Sequence, residues 1–210
     1  YLHSIEEVQF ENLFVDGTKI EANANRYTFV WKKAVNKNEA KMFEKIQTCI
    51  QSINLEYSTD FKVTKENIIN ELANILDHLN EKRQKEQIEF VHGVGKRKSK
   101  LQKYYESIQD FKERQERYNG CNQMFEGRNS YSKTDTDATF MHMKDDHMKN
   151  AQLKPAYNVQ IAVESEYITG IGIFQDRNDI ATLIPLLKEM EAKLREKYKK
   201  IITDSGYESE

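Results

Sequence analysis

The stretch LFVDGTKIEA, residues 13 to 22, places Asp16 directly after an apolar run and directly before a glycine. The same order recurs in IITDSGYESE, residues 201 to 210, where Asp204 follows an apolar run and precedes Ser-Gly. Short apolar runs bounded by turn residues are typical of buried strands. We therefore predict that each aspartate stands at the carboxyl end of a strand, where ligand sites of open α/β sheets gather.

The chain between the two aspartates changes periodicity. Residues 39 to 118 carry apolar side chains at intervals of three and four, which predicts helices, with Thr64 as a possible N-cap. Alternation over 157 to 163 and the apolar run 168 to 174 predict a hairpin, followed by an amphipathic helix and a last strand at 201 to 203. Because that helix connects strands of one sheet, the last strand is expected to lie parallel to an earlier one. The fold class predicted is a mixed α/β sheet interrupted by a mostly α-helical insertion.

Composition narrows the class of protein. Charged residues make up 31% and hydrophobic residues 38% of 210 residues, with a mean hydropathy of -0.82, so much of the chain is expected to be exposed helix. No apolar run approaches the roughly 20 residues that span a bilayer, and we expect a soluble intracellular protein with no membrane partner. Cys49 and Cys121 stand alone, which predicts free thiols, not a disulfide framework or a zinc site.

The net charge of -2 conceals a basic region. Residues 81 to 117 hold 11 Lys and Arg against 7 Asp and Glu, and the densest run is Lys96, Arg97, Lys98 and Lys100. This run could bind DNA phosphates, or it could be the solvated start of a helix, and the sequence leaves both open. The helical spacing of the aromatic residues that follow favours core packing over base stacking; these are Tyr104, Tyr105, Phe111 and Tyr118.

Two carboxylates on neighbouring parallel strands, about 4.8 Å apart, would repel each other unless a cation lay between them. Short oxygen ligands suit Mg²⁺ or Mn²⁺, and such ions support attack at phosphorus. Each aspartate could instead be an ordinary turn residue. A phosphatase that uses Asp-x-Asp-Gly-Thr is disfavoured, because Phe14 occupies the position of its nucleophile.

Several long stretches resemble the DDE-type transposases of bacterial insertion sequences, in the branch with a large helical insert after the first strand. They are FVDGTKIEANANRYTFVWKK (14 to 33), RNSYSKTDTDATFMHMKDDHMKNAQLKPAYNVQIAVESEYITG (128 to 170), FQDRND (174 to 179) and TDSGYESE (203 to 210). The resemblance implies an RNase H-like fold with the first and fourth strands adjacent and parallel. We accordingly expect residues 1–32 to form the first-strand region, 33–127 the helical insertion and 128–210 the rest of a catalytic domain.

The resemblance also implies the chemistry. Asp16 and Asp204 match the first and second catalytic aspartates, which bind Mg²⁺ or Mn²⁺ and support phosphodiester hydrolysis and strand transfer during DNA transposition. The implied partners are double-stranded DNA, at element ends and target, and a second copy of the full-length protein. The implied location is the bacterial cytoplasm, at the nucleoid when DNA is bound.

One part of the family pattern is missing. The third carboxylate, a glutamate on a helix beyond the second aspartate, is not in this chain, since Glu208 and Glu210 lie too close to Asp204. Besides this part, we expect the family's N-terminal DNA-binding region to be absent, because Asp16 is only the sixteenth residue. We expect a fragment, truncated before the final helix, that is inactive in isolation; the alternative is a non-catalytic helical DNA-binding or interaction remnant of a decayed mobile element.

Two further pairs of polar residues have open interpretations. Asp135 and Asp137 read as turn or cap residues, and a role beside the metals is the alternative. Asn158 and Gln160 lie on one face of a predicted strand, and their polarity predicts that this face is wet.

Overall fold

A computed structural model describes residues 2–143 and 152–208, and the chain divides into two compact units. Tyr1–Trp31 and Gly127–Glu210 together form the first, called here the sheet unit. Lys32–Glu126 form the second, called here the helical unit. In the described part of the chain, no helix is both long and apolar enough to cross a membrane.

The helical unit consists of α1 (Lys32–Tyr57), α2 (Ile68–Lys85) and α3 (Lys100–Phe125). Its core is built from the apolar positions that recur every three or four residues: Met42, Ile46, Ile50, Ile53, Ile68, Leu72, Ile75, Leu76, Leu79 and Ile108. The four aromatic residues predicted to pack in the core, Tyr104, Tyr105, Phe111 and Tyr118, lie partly buried against it. Cys49 and Cys121 are free thiols, as expected, and burial raises the pKa of Cys49.

The ends of these helices show which side chains terminate them. Ser99 caps α3, because its hydroxyl accepts a hydrogen bond from the Gln102 amide at 3.1 Å. The cap predicted for α2 was wrong. Asn67 occupies the N-cap position, and the amide of Thr64 donates to the Asn67 side chain at 2.7 Å, so Thr64 belongs to the preceding turn.

The sheet unit contains the strands and one long helix. In the described residues these are β1 (Asn12–Glu21), β2 (Phe29–Trp31), β3 (Ser130–Ser132), β4 (Thr139–His142), β5 (Leu153–Glu164), β6 (Tyr167–Phe174), α4 (Leu183–Leu194) and β7 (Lys200–Thr203). The main sheet has the order β4-β5-β1-β7, with β6 also paired to β5, and β2 pairs with β3 separately. The pairing of β1 is antiparallel with β5 and parallel with β7, so the sheet is mixed.

One face of the main sheet packs against α4. Leu13 and Val15 of β1 form a core there with Leu186 and Met190 of α4. Gly170 allows this approach, because a Cβ at that position would lie 2.5 Å from the Met190 sulfur. The protein is thus a mixed α/β sheet interrupted after its first strands by a helical unit, compatible with an RNase H-like fold, and the predicted fold class is confirmed.

A buried carboxylate at the end of β5 holds the N-terminal segment. Glu164 is 4% exposed, and its two oxygens accept hydrogen bonds from three successive backbone amides, those of Gln9, Phe10 and Glu11, at 3.0–3.3 Å. The carbonyls of Phe10 and Glu11 in turn accept from the amides of Lys199 and Lys200, where β7 begins. Glu164 therefore holds the N-terminal segment in place, and that segment supports β7, the edge strand that leads to Asp204.

We predict that Glu164→Gln lowers the free energy of unfolding by about 1–3 kcal/mol, because an amide has one acceptor oxygen and turns an N–H group toward backbone donors. Urea denaturation measures the change. The matched control is Glu166→Gln, two residues away and exposed, for which a change within about 0.5 kcal/mol is expected. Equal stability of the two variants would contradict the anchoring role of Glu164.

Candidate functional site

The register of β1 and β7 brings the two predicted aspartates side by side. Val15 is paired with Thr203 at the last position of the parallel ladder, and the next residue on each strand is an aspartate, Asp16 on β1 and Asp204 after β7. Adjacent strands lie about 4.8 Å apart. The carboxylates therefore start from neighbouring backbone positions, although 188 residues separate them in the sequence (204 minus 16).

The prediction that Asp16 stands at the carboxyl end of its strand was wrong. β1 continues to Glu21, paired with β5, so Asp16 and Gly17 lie within a strand and only the pairing with β7 stops at Asp16. Asp16 is exposed and alternates with the buried Leu13 and Val15, which puts it on the face opposite α4. Asp204 does serve a turn, since its Oδ1 accepts the Gly206 amide at 2.9 Å and caps the 3-10 helix Ser205–Tyr207.

A groove of about 480 Å³ is lined by residues of β1, β5 and β7 and by Asp204. Asp16 and Asp204 supply its charged groups, and the rest of its wall is mostly apolar. The lining residues are Phe14, Val15, Asp16, Gly17, Thr18, Ile161, Val163, Ile202, Thr203 and Asp204. A polar ligand in this groove would meet the carboxylate oxygens of Asp16 and Asp204.

A third aspartate, Asp179, approaches the same strands from the 3-10 helix Asp179–Ala181. Its Oδ1 accepts hydrogen bonds from Asn158 Nδ2 at 2.7 Å and Gln160 Nε2 at 2.8 Å. Asn158 and Gln160 are 1% and 0% exposed, so the prediction of a wet strand face was wrong. These buried side chains are polar because they donate hydrogen bonds to the Asp179 carboxylate.

Tyr207 joins this hydrogen-bond network through Gln160. Its buried hydroxyl donates to Gln160 Oε1. Burial raises the pKa of Tyr207, and the nearby negative charges of Asp179, Asp16 and Asp204 raise it further. The charges of all three carboxylates thus act on the Tyr207 hydroxyl, so Asp179 shares the electrostatic environment of Asp16 and Asp204.

Asp179 was missed as a site residue, although two signals bore on it. It ends the stretch FQDRND, one of the stretches that carry the family resemblance. The helix begins later, at Leu183, with Thr182 in the N-cap position. The alternation of Asn158 and Gln160 on the face shared with Ala162 was the second signal, because polar residues on a core face require a polar partner.

Within the described residues, the carboxylates of this site have no cationic partner. Across residues 2–143 and 152–208, no salt bridge joins Asp16, Asp179 or Asp204 to a Lys, Arg or His side chain. In the same residues, no three His, Cys, Asp or Glu side chains converge as a ready metal cluster. Two neighbouring carboxylates without a counter-charge fit a hard divalent cation that keeps several of its waters.

The four predicted basic residues lie in the helical unit. Lys98 binds Glu106 at 2.5 Å and Lys100 binds Glu56 at 3.0 Å. No salt bridge of the described residues involves Lys96 or Arg97, and both are exposed. The cationic charge available to a ligand is therefore concentrated at the beginning of the run.

Asp135 and Asp137 lie in the turn that precedes β4. The Asp135 carboxylate accepts the amides of Asp137 and Ala138 at 3.3 Å and the Tyr157 hydroxyl at 2.8 Å. Burial, with the Asp135 hydrogen bond and charge, raises the pKa of Tyr157 to about 12. Asp135 thus has the geometry of a turn residue, one of the two interpretations that the sequence left open.

The fold and the paired aspartates define a class, an RNase H-like domain with acidic residues on adjacent parallel strands. Residues 128–210 match the family model described as Transposase DDE domain, which is consistent with a fragment of a DDE-type transposase. The recognition made from the sequence is confirmed. No curated protein and no solved structure matches the chain. The family implies action on DNA, nuclease or strand-transfer chemistry in general, and the use of divalent metal ions.

Gly17 is the position where the site tolerates no side chain. A Cβ there would lie 2.5 Å from Gln160 Nε2 and 2.7 Å from Asp179 Oδ1. We predict that Gly17→Ala destabilises the protein by about 1–3 kcal/mol in urea denaturation, because the buried hydrogen bonds to Asp179 must shift.

Gly120→Ala is the matched control for this substitution. Gly120 lies inside α3 with no atom within 4 Å of its prospective Cβ. Alanine favours helix over glycine, so this variant is expected to gain about 0.5–1 kcal/mol. A Gly17→Ala protein as stable as the wild type would contradict the close packing around Asp179.

Proposed function

We propose that the chain carries part of the catalytic domain of a DDE transposase, with Asp16 and Asp204 as the first and second catalytic carboxylates. Residues 1–32 and 128–210 supply the catalytic domain in this proposal, and residues 33–127 are its helical insertion. The reactions are phosphodiester hydrolysis and strand transfer on double-stranded DNA. The observation that carries the proposal is the parallel β1–β7 register, which aligns the two aspartates at one groove.

Mg²⁺ or Mn²⁺ is the proposed cofactor, held by Asp16 and Asp204 together with waters. A divalent ion at such a site lowers the pKa of bound water and stabilises charge on phosphate oxygens. The protein's contribution is positional. The β-ladder fixes the Asp16 backbone, and the hydrogen bond from the Gly206 amide to Oδ1 orients the Asp204 carboxylate.

Two carboxylates bind Mg²⁺ weakly, and the family's third carboxylate is not among these 210 residues. We therefore propose that cleavage needs a third carboxylate besides Asp16 and Asp204, and that the active form is a homodimer in the bacterial cytoplasm. Sequencing the DNA after codon 210 tests this. An open frame encoding a helix with a glutamate supports the enzyme, and an immediate stop codon supports the non-catalytic remnant.

The catalytic test uses the complete product and DNA that carries the ends of its own element. We predict that Asp16→Ala and Asp204→Ala each reduce Mg²⁺-dependent nicking on the order of 100-fold or more, because a preorganised charged group is lost from the reacting centre. Nicking is measured on end-labelled DNA with Mg²⁺, with Mn²⁺ and with a chelator.

Asp176→Ala is the control for these variants, since it removes one exposed carboxylate outside the groove. It is expected to cleave at the wild-type rate. Wild-type nicking by either the Asp16 or the Asp204 variant would overturn the catalytic assignment.

A second function, DNA binding by the helical unit, is favoured by the basic run Lys96, Arg97, Lys98 and Lys100. The loop that carries it is tied to α3 by Gln102, whose side chain accepts from the Val91 amide at 3.0 Å and donates to the Val91 carbonyl at 2.8 Å. Lys96 and Arg97 are thus presented from an anchored loop. Phosphate contacts from such a loop would add affinity without sequence preference.

We predict that replacing Lys96 and Arg97 together by Gln weakens duplex DNA binding and lowers the slope of log affinity against log salt by about 2. Fluorescence anisotropy at several salt concentrations measures both quantities. The comparison variant replaces Lys98 and Lys100 by Gln, and a smaller change is expected because these side chains already pair with Glu106 and Glu56. An unchanged slope in the first variant would exclude this DNA contact.

A further inference from the structure

Asp179 has an unusual set of hydrogen-bond partners for a carboxylate beside two others. Its Oδ1 accepts from two buried amide side chains, Asn158 and Gln160, and both donors are electrically neutral. Neutral donors stabilise a carboxylate without cancelling its charge. Asp179 therefore adds a fixed negative charge to this end of the sheet.

The other Asp179 oxygen faces the turn that Asp204 caps. A Cβ built on Gly206 would lie 3.6 Å from Asp179 Oδ2 and 3.0 Å from Asp204 Oδ1. The two carboxylates thus both lie close to the backbone of Gly206. Gln160 then links Asp179 to this turn, because the same amide group that donates to Asp179 accepts from the Tyr207 hydroxyl.

Gly17 connects the network to the other aspartate. Asp179 Oδ1 lies against the backbone of Gly17, the residue after Asp16, at a distance that only glycine permits. Asp179 is consequently in contact with both chain segments that carry the proposed ligands. It also lies outside the groove that Asp16 and Asp204 line, which separates it from direct binding in that groove.

We propose that Asp179 is a positioning residue of the catalytic site, which holds the Asp16 and Asp204 segments together and adds negative charge that draws a divalent cation to them. This inference rests on the proposed metal role of Asp16 and Asp204. Two features support it. The charge of Asp179 acts on Tyr207 together with the charges of the two candidate ligands, and no cation of the described residues forms a salt bridge with any of the three.

The test measures Mn²⁺ binding to the 210-residue chain by electron paramagnetic resonance of the free ion. Asp179→Asn removes the charge and keeps an oxygen that accepts from both amides. We expect the affinity for Mn²⁺ to fall about three- to tenfold, because the variant loses the attraction between one negative charge and a divalent ion several ångströms away. The thermal midpoint without metal is expected to stay close to that of the wild type.

Three comparison proteins make the result specific. Asp176→Asn removes a charge three residues away and is expected to bind Mn²⁺ as the wild type does. Asp16→Asn is expected to lose Mn²⁺ binding at this site, and wild-type binding by this variant would refute the proposed metal role itself. If Asp16→Asn loses binding while Asp179→Asn retains wild-type affinity, the metal role stands and the inference about Asp179 is overturned.

A second neutral variant, Asp179→Ser, guards against a folding defect. If Asp179→Asn unfolds at a lower temperature than the wild type without metal, the Mn²⁺ affinity of Asp179→Ser tests the proposal instead. This variant is also expected to bind Mn²⁺ at least threefold more weakly than the wild type. A metal affinity equal to that of the wild type in a folded neutral variant would show that Asp179 is only structural. Loss of affinity in Asp176→Asn to the same extent would show a general effect of net charge and would also overturn the proposal.

Discussion

The parallel pairing of β1 with β7 is the constraint on which the rest of the sheet unit depends. Only four residue pairs form it, and β7 is an edge strand whose Ile201 and Ile202 remain exposed. So short an edge pairing needs support from outside the ladder. The N-terminal segment supplies it, since its carbonyls bind the amides at the start of β7 while its amides bind the buried Glu164. A glutamate at the end of β5 thus contributes to where Asp204 stands.

The electrostatics of the site follow from that alignment. Bringing Asp16 beside Asp204 concentrates negative charge at one groove. Among the residues that the structure describes, no lysine or arginine forms a salt bridge with either aspartate. The surrounding residues supply the amides of Asn158 and Gln160 to a third carboxylate, Asp179. An arrangement that keeps charge uncompensated in this way is one that a cation stabilises, which is why the groove is the centre of the proposed function.

The sequence predicted the parts of the fold that have long or repeated patterns. The periodicity of the helical unit identified its core, and the alternation after Tyr157 identified the hairpin of β5 and β6. The strands β2, β3 and β4 were missed, because three or four residues are too few to show a period; β7, equally short, was predicted from the apolar run before Asp204. The burial of Asn158 and Gln160 was missed for another reason. Their partner Asp179 lies about 20 residues further along the chain, and a period-two pattern records only which residues share a face.

The missed β2–β3 ribbon explains how the sheet tolerates so large an insertion. β2 ends at Trp31 and α1 begins at the next residue, while β3 begins at Ser130, shortly after α3 ends at Phe125. Trp31 is paired directly with Ser130, so the chain leaves the sheet unit and returns to it at one place. Phe29 and Trp31 pack on Phe140 of β4, with ring centroids 5.2 and 5.7 Å apart, which fixes the ribbon to the sheet. Because the ends of the insertion are already paired, its length adds little to the cost of closing the loop. The β1–β7 register, and with it the spacing of Asp16 and Asp204, is therefore independent of what the helical unit contains.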